Sequence, residues 1–67
     1  MIYLNGNPRD DVGGQTVAGL LRLLDLAPDA RGIAVAVDGA VVPRAGWSNF
    51  AIADGARVEV LTAMQGG

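Results

Sequence analysis

Gly66 and Gly67 close the chain, and they are the residues best placed to do chemistry. A terminal diglycine presents its carboxylate on an arm without side chains, and neither residue has a Cβ to restrict its backbone. Such an arm can be threaded into a narrow slot of another protein. There the carboxylate can be activated, for instance as an acyl-adenylate. With 10 glycines in 67 residues a terminal diglycine is suggestive but not decisive, so its weight depends on what precedes it.

The residue types that are missing narrow the chemistry further. The chain has no Cys, no His and no Lys. It therefore lacks a thiolate, an imidazole base and an amine for Schiff-base formation, and its lone serine, Ser48, has no histidine to activate it. Asp10 and Asp11 are adjacent acids of the kind usually found solvated at a strand end. No metal is expected, since only acids and amides remain as side-chain ligands. The chain reads as a substrate or a binding module rather than an enzyme. Net charge is −2, and Arg9, Arg22, Arg31, Arg44 and Arg57 are scattered rather than clustered. Nucleic acid, which calls for a basic stripe, is not an expected partner. No apolar run approaches membrane-spanning length and the N-terminus lacks the pattern of a secretion signal, so a cytoplasmic location is the default expectation. A 51% hydrophobic content is enough for one small core, without disulfides.

The elements that must carry the terminus can be read from turn chemistry and periodicity. Residues 1–4 form a short apolar strand, and Asn5-Gly6 is a strong two-residue hairpin signal. A second strand runs from Asn7 to Val12, with Pro8 marking a sheet edge and Gly13-Gly14 ending it. Thr16 is a good helix N-cap. Val17, Leu20, Leu21 and Leu24 then recur at helical spacing, and Leu23 and Leu26 are expected to widen the buried face. Gly19, inside this helix, is expected to allow close packing on the sheet. The helix must stop by Ala27, because Pro28 disfavours helical geometry in the residue before it.

Residues 33–37 make a strand apolar on both faces, predicting a covered, interior position. Asp38-Gly39 turns the chain into a strand at 40–42. Residues 43–47 form a bend or a single helical turn, and Asp54-Gly55 is a third turn. From Arg57 to Thr62 the sequence alternates, placing Val58 and Val60 on one face and Arg57, Glu59 and Leu61 on the other. This order predicts an α+β domain over residues 1–62, with a mixed sheet of about five strands and the helix on one face. The final strand can lie beside the first, which is the β-grasp, or ubiquitin-like, arrangement. Residues 63–67 form a flexible tail ending in Gly-Gly.

Several segments together carry a family resemblance. They are the opening strand with Asn5-Gly6, the Thr16-Val17 helix start with its leucines, residues 37–44 (Val-Asp-Gly-Ala-Val-Val-Pro-Arg), Trp47 three residues later, Asp54-Gly55 and the diglycine. Over nearly its whole length the chain resembles the ThiS family, sulfur carrier proteins of thiamine biosynthesis. The Val-Pro-Arg-x-x-Trp stretch is the most specific piece. The resemblance implies that a ThiF-like enzyme uses ATP and Mg to adenylate the Gly67 carboxylate. A persulfide-donating cysteine desulfurase system then supplies sulfur, Gly67 becomes a thiocarboxylate, and thiazole synthase ThiG consumes it. No cofactor would be bound by this chain itself.

Gly66 and Gly67 are then the reactive site, and Met64 and Gln65 line the partner's channel. Tyr3 and Leu61 are expected close together on the open face of the sheet, as an exposed apolar patch for a partner. Arg44 pairs either with a partner's acids or within its own fold, and Trp47 anchors a core edge. Alternative functions are a carrier for molybdopterin, cysteine or tRNA thiolation, a ubiquitin-like covalent protein modifier, or a plain interaction domain.

Overall fold

A computed structural model describes residues 1–10, 14–27 and 31–63. Strand β1 (Ile2–Leu4) and strand β2 (Asn7–Arg9) are joined by Asn5 and Gly6, at φ 50° and 84°. Positive φ at both central residues is the demand of a type I′ turn, whose twist suits the flanking antiparallel strands. Pro8 lies on β2 at one edge of the sheet, where its missing N–H leaves no ladder bond unmade. Beyond Arg9 the chain bends at Asp10, and the remainder of the expected strand, 11–12, lies outside the described residues.

Thr16 caps helix α1 (Val17–Leu23) as expected, its Oγ1 accepting from the Gly19 N–H at 3.1 Å. Two more of the amides left over at a helix start are met by a distant loop. The Val17 N–H donates to the Phe50 carbonyl and the Ala18 N–H to the Trp47 carbonyl, both at 3.0 Å. The helix is shorter than the leucine spacing implies, because Asp25 adopts φ 59° and closes it. Asp25 N–H bonds the Arg22 carbonyl and Leu26 N–H the Leu21 carbonyl, the paired bonds of a Schellman motif.

Two expectations about this helix are corrected. Leu23 does not join the buried face; it is 47% exposed, since about 100° per residue places it off the stripe of Val17, Leu20, Leu21 and Leu24. Gly19 lies on the side away from the sheet. A β-carbon there would meet the Gln15 side chain, at 2.5 Å from Oε1, and not a strand.

Strand β3 (Ile33–Val37), strand β4 (Ala40–Val41) and strand β5 (Arg57–Thr62) complete a sheet of order β2-β1-β5-β3-β4. Strand β5 lies at its centre, parallel to β1 and antiparallel to β3. Asp38 and Gly39 repeat the type I′ geometry at φ 51° and 84° between β3 and β4. Strand β3 is interior in the plane of the sheet but not covered on both faces. Val35 and Val37 are buried, whereas Ala34 is exposed and Ala36 half-buried. Apolar alternation with alanine reads like a doubly covered strand, yet alanine tolerates solvent at little cost.

The core fills the space between α1 and the Ile2, Leu4, Val35, Val37, Val58, Val60 face of the sheet. Val42, Ile52, Ala56 and Trp47 close it from the long connection before β5, which contains a single 3-10 turn at Arg44–Gly46. At one end of β1 the N-terminal ammonium pairs with Asp54, and the Gly55 N–H bonds the Met1 carbonyl at 2.7 Å.

Candidate functional site

The described chain ends at Ala63, one residue past the central strand β5. In β5 the side chains of Val58 and Val60 enter the core, and Arg57, Glu59 and Leu61 stand on the face opposite the helix. On the β3 side the ladder runs from Val37↔Val58 to Ile33↔Thr62. One further backbone bond, from the Ala63 N–H to the Gly32 carbonyl at 2.6 Å, carries it one residue past the strand. Met64, Gln65, Gly66 and Gly67, all candidate site residues, lie outside the described residues.

On the β1 side the backbone ladder is short, because β1 ends in its turn at Leu4. The side chain of Asn5 takes over. Its Oδ1 accepts from the Val60 N–H at 2.9 Å, and its Nδ2 donates to the Val60 carbonyl at 3.2 Å. An amide side chain thus imitates the next peptide of a parallel strand and holds β5 two residues short of its end. Turn chemistry alone accounts for Asn5 at φ 50°, so this second role left no separate signal in the sequence.

The open face carries a shallow concavity of about 660 Å³, bordered by Tyr3, Asn5, Arg57, Glu59 and Leu61. Tyr3 and Leu61 both point to this face, 38% and 64% exposed, on paired strands as expected. They are not neighbours across the pair. Tyr3 is opposite Arg57, so Leu61 stands four residues further along β5, roughly 13 Å at the rise of a strand. Leu61 is opposite Ala34 on β3, and the small alanine leaves its side chain standing proud. The two apolar groups bracket the concavity, with Arg57 and Glu59 between them.

Arg44 is not part of this border. Its guanidinium lies 4.7 Å from the centroid of the Trp47 ring, stacked within its own fold. Trp47 is 3% exposed, and its indole Nε1 donates to the Val42 carbonyl at 2.8 Å, so it anchors the connection before β5. Ser48 and Asp10 are exposed. Among the described residues no three acidic side chains gather into a metal-binding group, and no helix is long and apolar enough to cross a membrane.

Comparison with known proteins agrees with this geometry. No curated protein matches the chain in sequence. Among solved structures, the crystal structure of a thiamine biosynthesis protein (ThiS) from Geobacter metallireducens superposes with a TM-score of 0.76 at 31% identity. The match covers 98% of this chain and 97% of that one. The mixed five-strand sheet with one helix is accordingly a β-grasp fold. The model of the ThiS family matches residues 2–67, a span that takes in the hairpin, the helix, the central strand and the diglycine, and the chain belongs to the ThiS family.

Proposed function

We propose that this protein is a sulfur carrier of thiamine biosynthesis whose reacting group is the Gly67 carboxylate. The family match that runs through Gly66 and Gly67 carries this proposal, and the absence of Cys, His and Lys supports a substrate over a catalyst. A carboxylate is a poor electrophile until one oxygen becomes a good leaving group. A ThiF-like enzyme therefore supplies MgATP: a carboxylate oxygen attacks the α-phosphorus, pyrophosphate leaves, and Gly67 becomes an acyl-adenylate. The terminal sulfur of a protein persulfide then attacks the acyl carbon and AMP departs. The resulting acyl disulfide is cleaved by a thiol, which is itself oxidised to a disulfide, leaving a thiocarboxylate on Gly67. That group is a good nucleophile and donates its sulfur to ThiG for thiazole formation. The protein binds no cofactor of its own in this scheme and works in the cytoplasm.

The concavity between Tyr3 and Leu61 serves as the docking face for these partners, with Met64 and Gln65 entering the channel ahead of the diglycine. The test is ATP–pyrophosphate exchange with a ThiF-like enzyme, followed by intact mass after adding a persulfide donor. The full-length chain is expected to support exchange and then to gain the mass difference between sulfur and oxygen. A chain lacking Gly67 is expected to support neither while remaining folded. Normal exchange by the truncated chain refutes the role of Gly67, and larger covalent adducts in place of sulfur transfer indicate a protein modifier.

A further inference from the structure

We infer that Gly32 is a positioning residue for the reacting terminus, an inference that rests on the carrier role proposed above. Gly32 precedes β3 at φ 79°, in the region open to glycine and strained for most other residues. Its carbonyl accepts the Ala63 N–H at 2.6 Å, the last bond joining the C-terminal segment to the sheet among the described residues. A β-carbon at position 32 would lie 3.3 Å from both the Ala63 Cβ and the Ala63 carbonyl oxygen, and 3.6 Å from its nitrogen. Gly6, Gly14, Gly39 and Gly55 also have positive φ, but a β-carbon on any of them meets open space. Gly32 alone among these five lies against another segment, and that segment is the one leading to Gly67.

The seat at Gly32 fixes Ala63, the residue from which the chain continues to its terminus. Four residues, 64–67, separate Ala63 from the end of the chain, spanning at most about 14 Å when extended. With Ala63 held, a partner that grips the open face meets the carboxylate within that radius and from one direction. With Ala63 displaced, the tether lengthens and its point of departure is no longer set. The effective concentration of the carboxylate at a partner's bound ATP falls as a tether lengthens beyond its span, and orientation is lost with it. Docking through Tyr3 and Leu61 is left unchanged. Gly32 therefore governs turnover of the bound carrier rather than its binding.

The experiment compares wild type, Gly32→Ala and Gly39→Ala. The last imposes the same strain of a positive φ, at 84°, where nothing is near. Steady-state adenylation by the ATP-dependent activating enzyme and amide hydrogen exchange at Ala63 are measured on each. Gly32→Ala is expected to lower kcat by about five- to tenfold with KM within about twofold, and to speed exchange at Ala63 while the core amides of β5 stay protected. Gly39→Ala is expected to keep wild-type kcat. A kcat for Gly32→Ala equal to that of Gly39→Ala, or an effect confined to KM as for a partly unfolded substrate, overturns the inference while leaving the carrier role standing. A wild-type protein that is never adenylated overturns the carrier role itself, and unchanged exchange at Ala63 in Gly32→Ala removes the seat independently of any enzyme.

Discussion

Removing the Asn5 side chain tests whether β5 is held by a residue 55 positions away in sequence. Asn5→Ala deletes both bonds to Val60 and places a Cβ residue without local hydrogen bonding at φ 50°. Two hydrogen bonds contribute roughly 1 kcal/mol each, and the left-handed conformation costs an ordinary L-residue about 1–2 kcal/mol more. The sum is about 3 kcal/mol, a large share of what a domain this small has in total. For a chain of this length that corresponds to a fall in Tm of about 12–24 °C. Asn5→Gly separates the two contributions. It also loses the bonds but accepts the positive φ, so it should be about 1 kcal/mol more stable than Asn5→Ala.

Thermal and urea melts of the three proteins give the order wild type, Gly, Ala, and hydrogen exchange at Val60 N–H accelerates in both variants. If both variants lie within about 0.5 kcal/mol of wild type, an ordinary surface effect, the side chain does not hold β5. If Ala equals Gly while both are weakened, the turn has abandoned positive φ and the assigned hairpin geometry is wrong.

Other substitutions probe the remaining links. Gly19→Ala should stabilise the protein by about 0.5–1 kcal/mol through helix propensity, because the nearest atoms are at the movable end of Gln15 and at Thr16 Oγ1, 3.4 Å away; a lowered urea midpoint would show that Gln15 cannot yield. Leu61→Asp should cost the free protein no more than about 1 kcal/mol, the range of strand preferences, yet weaken binding to the activating enzyme more than tenfold by placing an unpaired charge in the interface. Calorimetry that finds unchanged affinity moves the docking face elsewhere.

The ammonium of Met1 holds the Asp54 carboxyl below its ordinary range, first by hydrogen bonding and then by charge, while Asp54 raises the ammonium in the same order of causes. The lowered acid contributes stability above its unfolded value near pH 4, lost as pH falls through the folded one. The raised amine contributes below its unfolded value near pH 8, lost as pH rises through the folded one. Asp54→Asn should therefore differ from wild type between about pH 4 and 8 and converge with it at both extremes. A difference independent of pH from 2 to 10 excludes the ion pair as its cause.

The sequence by itself determined the parts of this protein whose causes lie within a few residues. Asn5-Gly6 and Asp38-Gly39 are both type I′ turns because asparagine, aspartate and glycine tolerate positive φ. Thr16 starts the helix because its hydroxyl reaches an amide three residues on. The alternation from Arg57 to Leu61 assigned the outward face of β5 correctly, since a strand turns its side chains over at every residue. The motifs from the hairpin to the diglycine are also local, and the ThiS family model matches the chain across all of them, over residues 2–67.

Tertiary structure decided the rest. Leu20 is buried and Leu23 exposed because the sheet covers one stripe of the helix, and how far that cover extends around it, short of Leu23, is set by the packing. The helix could have continued past Leu23 on propensity, but the turn at Asp25 lets Leu26 fold back onto the core. Tyr3 and Leu61 share a face by alternation, yet their separation along it is a matter of β1–β5 register, which no local pattern encodes. The clamp of Asn5 on Val60 and the seat of Ala63 on Gly32 join segments 55 and 31 residues apart. Both arise because a central strand exposes backbone groups on two sides, and those groups bond to whatever the folded topology brings beside them.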